Sequence, residues 1–226
     1  MPFGYPVMLE LAGRRCVVIG GNAVRDAKVE GLLAAGADDV LVVAPAPERY
    51  LDDLDVIDGV TVARRTWRSE DLDDAFLVVA ASEDPTERAS IAHQARSRGA
   101  LVNVMDDIPN CDWSTPSVVR RGELVIAIAT GGASPALAKR LREQLSSEFG
   151  EEWSEVLAVL RSVREETMPL LPQFSTRARR WAAALDIEEA AHLVRQGQAS
   201  ELGARLRARL LDGAERGSTA ADEGSS

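Results

Sequence analysis

A short apolar run broken by two glycines constrains this chain more than any other stretch: RRCVVIGGNAVRDAKVEGLLAAG, residues 14–36. Residues 16–19 are apolar and β-branched, which reads as a buried strand. Gly20, Gly21 and Asn22 interrupt it, and Val24, Ala27, Leu32, Leu33 and Ala35 then return at near-helical spacing. A strand, a glycine turn and a helix open a dinucleotide-binding βαβ unit. The chemistry needs that order, because glycine lets the backbone approach a pyrophosphate and the helix N-terminus offers unpaired N–H groups. Counted from Gly20, the pattern G-x-G-x-x-G/A finds Asn22 at the second glycine and Arg25 at the third small residue. An ordinary strand-to-helix turn is the competing reading of the same residues.

Strands and helices alternate from there. Residues 40–44 read as a second strand closed by Pro45 and Pro47, 60–63 as a third, 76–81 as a fourth and 100–104 as a fifth. An acid at the end of the second strand usually selects NAD; here Ala44-Pro45-Ala46 stands there and the first acid is Glu48, so the position does not separate NAD from NADP. Asp84, Pro85 and Glu87 supply the N-cap, N1 and N3 of a helix that runs to Arg98 and stops at Gly99. His93 lies within that helix and reads as a surface or packing residue rather than a ligand. This alternation predicts an α/β fold with a parallel, doubly wound sheet.

The character changes at Asp106. Residues 106–116 are turn-rich, and 118–119 with 124–129 read as hairpin strands around Arg120-Arg121-Gly122. Thr130-Gly131-Gly132-Ala133-Ser134-Pro135 is a glycine turn that ends in a cap pair before a helix reaching Phe149. Helices follow over 152–167, 175–185, 186–196 and 200–211, with Asp186 and Glu189 at capping-box spacing. Residues 213–226 are small and polar and read as a disordered tail.

A chain of 226 residues has room for one domain of about 150 residues and a smaller companion. Its net charge of −10 argues against nucleic-acid binding, which needs a basic face. Of 26 basic residues, only Lys28 and Lys139 are lysines. No apolar run approaches the roughly 20 residues that span a bilayer, and the opening MPFGYPVMLEL lacks the positive n-region of a secretory signal. Cys16 and Cys111 stand at no disulfide-framework or zinc-site spacing. A cytoplasmic enzyme with no protein-held metal is the expectation.

Four segments together resemble the precorrin-2 dehydrogenase / sirohydrochlorin ferrochelatase family, the dehydrogenase–chelatase module of siroheme synthases. They are Tyr5-Pro6-Val7-Met8-Leu9 leading to the glycine turn with Val24 and Lys28, Leu101-Val102-Asn103-Val104-Met105-Asp106, Cys111-Asp112-Trp113 with Pro116, and RGELVIAIATGGASPALAKRLREQL over 121–145. The last is the most specific, and Trp113 stands where phenylalanine is commoner. The resemblance implies oxidation of precorrin-2 to sirohydrochlorin with NAD as hydride acceptor, and in some members insertion of ferrous iron as a second activity. It implies a Rossmann-like domain over 1–112, a dimerisation segment over 113–149, a small helical domain over 150–212, and a homodimer. The chain has no room for the methyltransferase domain fused in some siroheme synthases, so uroporphyrinogen methylation is expected of another protein.

Asp106 is the expected catalytic residue. It lies just past the fifth strand, where open α/β sheets bind ligands, and a carboxylate there can take a proton. An Asx-turn ending the strand is the alternative. Gly20, Gly21, Asn22, Ala23 and Val24 are expected along the cofactor pyrophosphate, with Pro45 and Ala46 near the adenosine. Asn103, Thr130, Gly131, Gly132, Ser134 and Arg121 are candidate substrate contacts, since a helix N-terminus and arginine forks suit acetates and propionates. Arg120, Lys139 and Arg140 are weaker carboxylate candidates. A non-catalytic module that binds nucleotide or tetrapyrrole is the rival function.

Overall fold

The apolar runs at 16–19, 40–44 and 77–81 are buried on both faces, which is what near-continuous hydrophobic strands of a parallel sheet require. The computed structural model describes residues 5–20, 23–45 and 51–212. The chain forms two compact units, Met1–Thr115 and Pro116–Ser226. The first holds strands β1 (Arg15–Ile19), β2 (Asp39–Ala44), β3 (Val60–Arg64), β4 (Leu77–Ala80) and β5 (Leu101–Val104), with helices α1 (Ala23–Ala34), α2 (Leu51–Leu54) and α3 (Pro85–Ser97). All strand pairs are parallel, in the order β3-β2-β1-β4-β5.

Side chains alternate between two cores. Cys16, Val18, Val40, Val42 and Val79 pack with Val29 and Leu32 of α1 on one face. Val17, Ile19, Leu41, Val43, Val78 and Val102 pack with Ile91, Ala92 and Ala95 of α3 on the other. The N-cap reading of Asp84 holds: its carboxylate accepts from the Thr86 N–H at 2.9 Å, and Gly99 at φ +85° follows the helix end. His93 is exposed on α3. The short α2 and a 3-10 turn over Ser69–Leu72 were not legible in the sequence. In that turn the buried Asp71 carboxylate takes both Arg65 guanidinium nitrogens, at 2.7 and 2.6 Å, and the Arg68 N–H at 2.7 Å.

The second unit opens with an antiparallel hairpin, β6 (Ser117–Arg121) and β7 (Leu124–Ile128). The turn is Gly122-Glu123, so Arg120 and Arg121 belong to β6 rather than to the turn, a shift from the sequence reading. Gly122, at φ +55°, supplies the left-handed residue that a two-residue hairpin needs. Helices α4 (Pro135–Glu148), α5 (Glu152–Thr167), α6 (Phe174–Ala184), α7 (Ile187–Arg195) and α8 (Ala199–Leu211) follow. Val156 and Val163 of α5, Leu193 of α7, and Leu202, Leu206 and Leu210 of α8 form one core. The expected tail over 213–226 lies outside the described residues. Among those described, no helix is long and apolar enough to cross a membrane.

The expected capping box at α7 is half made. Asp186 accepts from the Glu189 N–H at 2.9 Å, but the Glu189 carboxylate turns to α8, with Arg209 at 2.6 and 3.0 Å and Arg205 at 2.7 Å. Two guanidiniums outbid one backbone N–H for the carboxylate, because charge-assisted bonds are the stronger. Arg209, then Arg205, hold the Glu189 pKa down to about 2. A depressed folded-state value stabilises above the unfolded value and is lost as pH falls through the folded one. Glu189→Gln should therefore lower stability at neutral pH by about 1 kcal/mol. Thermal melts of the variant should also lose part of the decline that the wild type shows between about pH 4.5 and 2; an unchanged acid limb would remove this pair as its cause.

Candidate active site

A sheet ordered β3-β2-β1-β4-β5 sends the chain to opposite faces after β1 and after β4, and the crevice between those strand ends is the switch point where such sheets bind ligands. Gly20 closes β1 at this point. It is buried, has φ +113°, and donates its N–H to the Val43 carbonyl at 2.9 Å. A Cβ at Gly20 would stand 2.5 Å from the Ala81 carbonyl carbon and 2.7 Å from the Ser82 nitrogen, so glycine alone fits. Ala23 and Val24 open α1, whose first N–H groups lie at this carboxyl end of the sheet. Pro45 follows β2 and is exposed. Gly21, Asn22 and Ala46 lie outside the described residues. The glycine cradle and the helix start beside it fit a dinucleotide pyrophosphate.

The far wall of the crevice is held by a network that sequence reading missed. Trp67 Nε1 donates to Glu87 at 2.8 Å, Ser82 Oγ donates to the same carboxylate, and Arg88 donates to the Ser82 and Glu83 carbonyls at 2.8 and 3.1 Å. Glu87, expected only as a first-turn acid, bridges two elements and fixes the loop after β4. A first-turn acid is ordinary in helices, so its spacing alone gave no signal of that bridge.

Asp106 stands exposed two residues past β5 with φ +57°, a left-handed conformation that aspartate tolerates better than most residues. The loop that carries it is tied down on both sides. Buried Asn103 donates to the Trp113 carbonyl at 2.9 Å. Cys111 Sγ sits 3.1 Å from both the N–H and the carbonyl of Val104, and burial pushes its thiol pKa up. The Asp112 carboxylate accepts from the Val102 N–H at 2.9 Å and from Arg96 Nε at 3.0 Å, closing the open edge of β5. Asn103 is thus a loop anchor through its amide nitrogen. Lys28 of α1 is half-buried and donates to Thr115 Oγ1 at 2.7 Å. Burial lowers its pKa, with the Cys111 thiol as the opposing influence.

The remaining candidates belong to the second unit. Gly131 and Gly132 are exposed, with φ of +60° and +81°. Thr130 Oγ1 is 3.3 Å from the Ser134 N–H, and Ser134 Oγ accepts from Leu137 at 3.1 Å, so both hydroxyls build the turn and cap α4. Arg121, expected as a carboxylate contact, is engaged within its own unit. Its guanidinium donates to the Phe149, Ser146 and Arg120 carbonyls at 2.9, 3.0 and 2.9 Å and lies 3.3 Å from Glu151. The unpaired carbonyls at the end of α4 attract a cation more strongly than solvent does. Lys139 pairs with Glu143 at 3.9 Å, and Arg120 and Arg140 are exposed. Among the described residues, no group of three or more His, Cys, Asp or Glu side chains is arranged to hold a metal ion.

Gly20→Ala tests the crevice directly. The added methyl must push the β1 and β4 ends apart at a site with φ +113°, which should cost about 1–3 kcal/mol of stability. Binding of NADH, followed by its fluorescence, should fall in step; undiminished binding by a folded variant would move the dinucleotide elsewhere.

Comparison with known proteins bears on both units. Residues 7–117 match a family of NAD(P)-binding domains, and residues 121–148 match the central segment of sirohaem biosynthesis proteins. Siroheme synthase 1 of Serratia proteamaculans is 32% identical over 201 residues, covering 89% of this chain and 42% of that protein. Siroheme synthase 1 of Pectobacterium atrosepticum is 33% identical over 207 residues, covering 92% and 43%. The chain thus spans less than half the length of these curated relatives. The solved structure of SirC, precorrin-2 dehydrogenase, matches with a TM-score of 0.71 at 28% identity, over 89% of this chain and 100% of that one. The first unit is an NAD(P)-binding domain, the stretch after it carries the central segment of sirohaem biosynthesis proteins, and most of the chain is similar to siroheme synthases and to SirC.

Proposed function

We propose that this chain oxidises precorrin-2 to sirohydrochlorin with NAD as hydride acceptor, and that Asp106 is its catalytic carboxylate. One observation carries the reading: a left-handed, exposed aspartate stands past the end of β5 on the same sheet edge as the Gly20 cradle. Two strand spacings separate β1 from β5, so their ends lie about 10 Å apart along that edge, within the span of a bound dinucleotide. When bound, NAD supplies the two-electron acceptor. Gly20 and the start of α1 hold its pyrophosphate, and the Glu87 bridge keeps the opposite wall in place. Asp106 takes the proton released as hydride leaves the macrocycle, which balances the loss of two hydrogens from precorrin-2.

The matches to an NAD(P)-binding domain and to sirohaem biosynthesis proteins support this reading, as does the likeness to SirC, a precorrin-2 dehydrogenase. Insertion of ferrous iron is a second step in the same proposal, with iron as substrate and Asp106 taking protons from the pyrrole nitrogens. The protein acts as a homodimer. No residue of α4 is buried, although Leu137, Leu141 and Leu145 form an apolar stripe, and the β6-β7 hairpin leaves Val118, Val125, Ile126 and Ile128 half-covered; a second copy is the partner that these faces suit. The cytoplasm is the compartment proposed, since both cysteines are free thiols.

Anaerobic incubation with precorrin-2 and NAD should give sirohydrochlorin absorbance and equimolar NADH; no turnover with NAD or with NADP would end the dehydrogenase reading. Tight tetrapyrrole binding without redox change would instead identify a binding module. Added ferrous iron should then yield siroheme. Asp106→Asn keeps the shape and the left-handed tolerance but removes the base, and should lower kcat by roughly 100-fold or more. An unchanged rate would take Asp106 out of the mechanism.

A further inference from the structure

Lys28 is a basic residue of the first unit to which the proposed chemistry assigns no task. The chain uses arginine at every basic position except 28 and 139, and an ammonium differs from a guanidinium as a compact point charge with three donors. Position 139 is exposed and pairs along its own helix with Glu143. Position 28 differs. It precedes fully buried Val29 on α1 and is itself half-buried. Its ammonium donates to one hydroxyl, Thr115 Oγ1 at 2.7 Å. Among the described residues, no carboxylate lies within ion-pair distance.

A half-buried ammonium with one hydroxyl acceptor has donors and a charge left for water or a ligand. Burial lowers its pKa accordingly. The surroundings link it to the reacting end of the sheet. Thr115 lies two residues beyond Trp113, whose carbonyl is held by Asn103 of β5. Cys111, whose thiol opposes the lowering of the Lys28 pKa, is bonded to Val104 and lies 3.4 Å from the Asp107 carbonyl. Lys28 therefore borders the loop that presents Asp106. A carboxylate brought by a ligand would complete its hydrogen bonds and offset its charge.

We infer that Lys28 binds a peripheral carboxylate of the macrocycle and so helps select a polycarboxylate substrate. This rests on the tetrapyrrole reading above. Sirohydrochlorin, titrated anaerobically without NAD and followed by its visible absorbance, is the probe. Lys28→Met should weaken its binding by roughly 10- to 100-fold, and Lys28→Arg should weaken it less. Thr115→Val removes the hydroxyl and keeps the charge, and should leave sirohydrochlorin affinity near that of the wild type. NADH affinity should stay the same in all three. Wild-type affinity in Lys28→Met overturns the inference. So does an equal loss in Thr115→Val together with lowered thermal midpoints, which would make Lys28 a strut between α1 and the end of the unit. A wild-type protein that binds no sirohydrochlorin would overturn the tetrapyrrole reading itself, and this inference with it.

Discussion

Backbone meets backbone at Gly20, and the site depends on that approach. With a Cβ excluded at 2.5 Å from Ala81, β1 and β4 can keep parallel register to their ends, through the Ile19–Ala80 pair and the 2.7 Å bond from the Ala81 N–H to the Ile19 carbonyl. The crevice opens only beyond that point. Because β1 and β4 are parallel, α1 and α3, which follow them, begin at the same edge, on opposite faces of the sheet. Two helix N-termini and a bare backbone strip thus meet where an anionic cofactor needs donors rather than side chains. A residue with any side chain at 20 would convert that strip into a wedge.

The loop after β5 solves a different problem. An edge strand exposes unpaired backbone groups, and the carboxylate proposed for catalysis needs a fixed position. Asp112, Cys111 and Asn103 address both at once: Asp112 takes the Val102 N–H, Cys111 spans Val104, and Asn103 grips the Trp113 carbonyl. The loop is held by bonds to β5 itself, so the left-handed turn at Asp106 is supported on each side. Arg96 adds a charge to Asp112 at 3.0 Å from the face of α3. The residues that look reactive in isolation, the thiol and the amide, act here as anchors.

Much of this was legible in the sequence, and for definite reasons. Strands buried on both faces leave uninterrupted β-branched runs, and an Asp-Pro pair marks a helix start through local bonding, so five strands and α3 could be read within a residue or two. What escaped were side chains whose partners lie far along the chain. Arg121 has the look of a carboxylate fork but caps α4 through Phe149 and Ser146. Glu189 sits at capping-box spacing but answers to α8. Glu87 reads as a first-turn acid but ties Trp67 to Ser82. In each case local spacing offered one partner and the fold supplied a more strongly bound one. The short α2 and the Asp71 turn carry too few residues for periodicity to register.

The second unit divides its burial unevenly, and that bears on how it works. The helices from α5 onward share a core that includes Val156, Val163, Leu202 and Leu206, whereas Val119 is the one buried residue of the hairpin and α4 has none. An isolated two-stranded hairpin is marginal in water. Here it is stitched by Arg121 to the end of α4, a polar tether that fixes position without removing apolar area from solvent. The hydrophobic stabilisation of Leu137 and of the outer β7 residues is therefore not supplied within the unit. The homodimer proposed above would meet that need, since the same half-covered patch occurs on both copies and a two-fold contact is self-complementary.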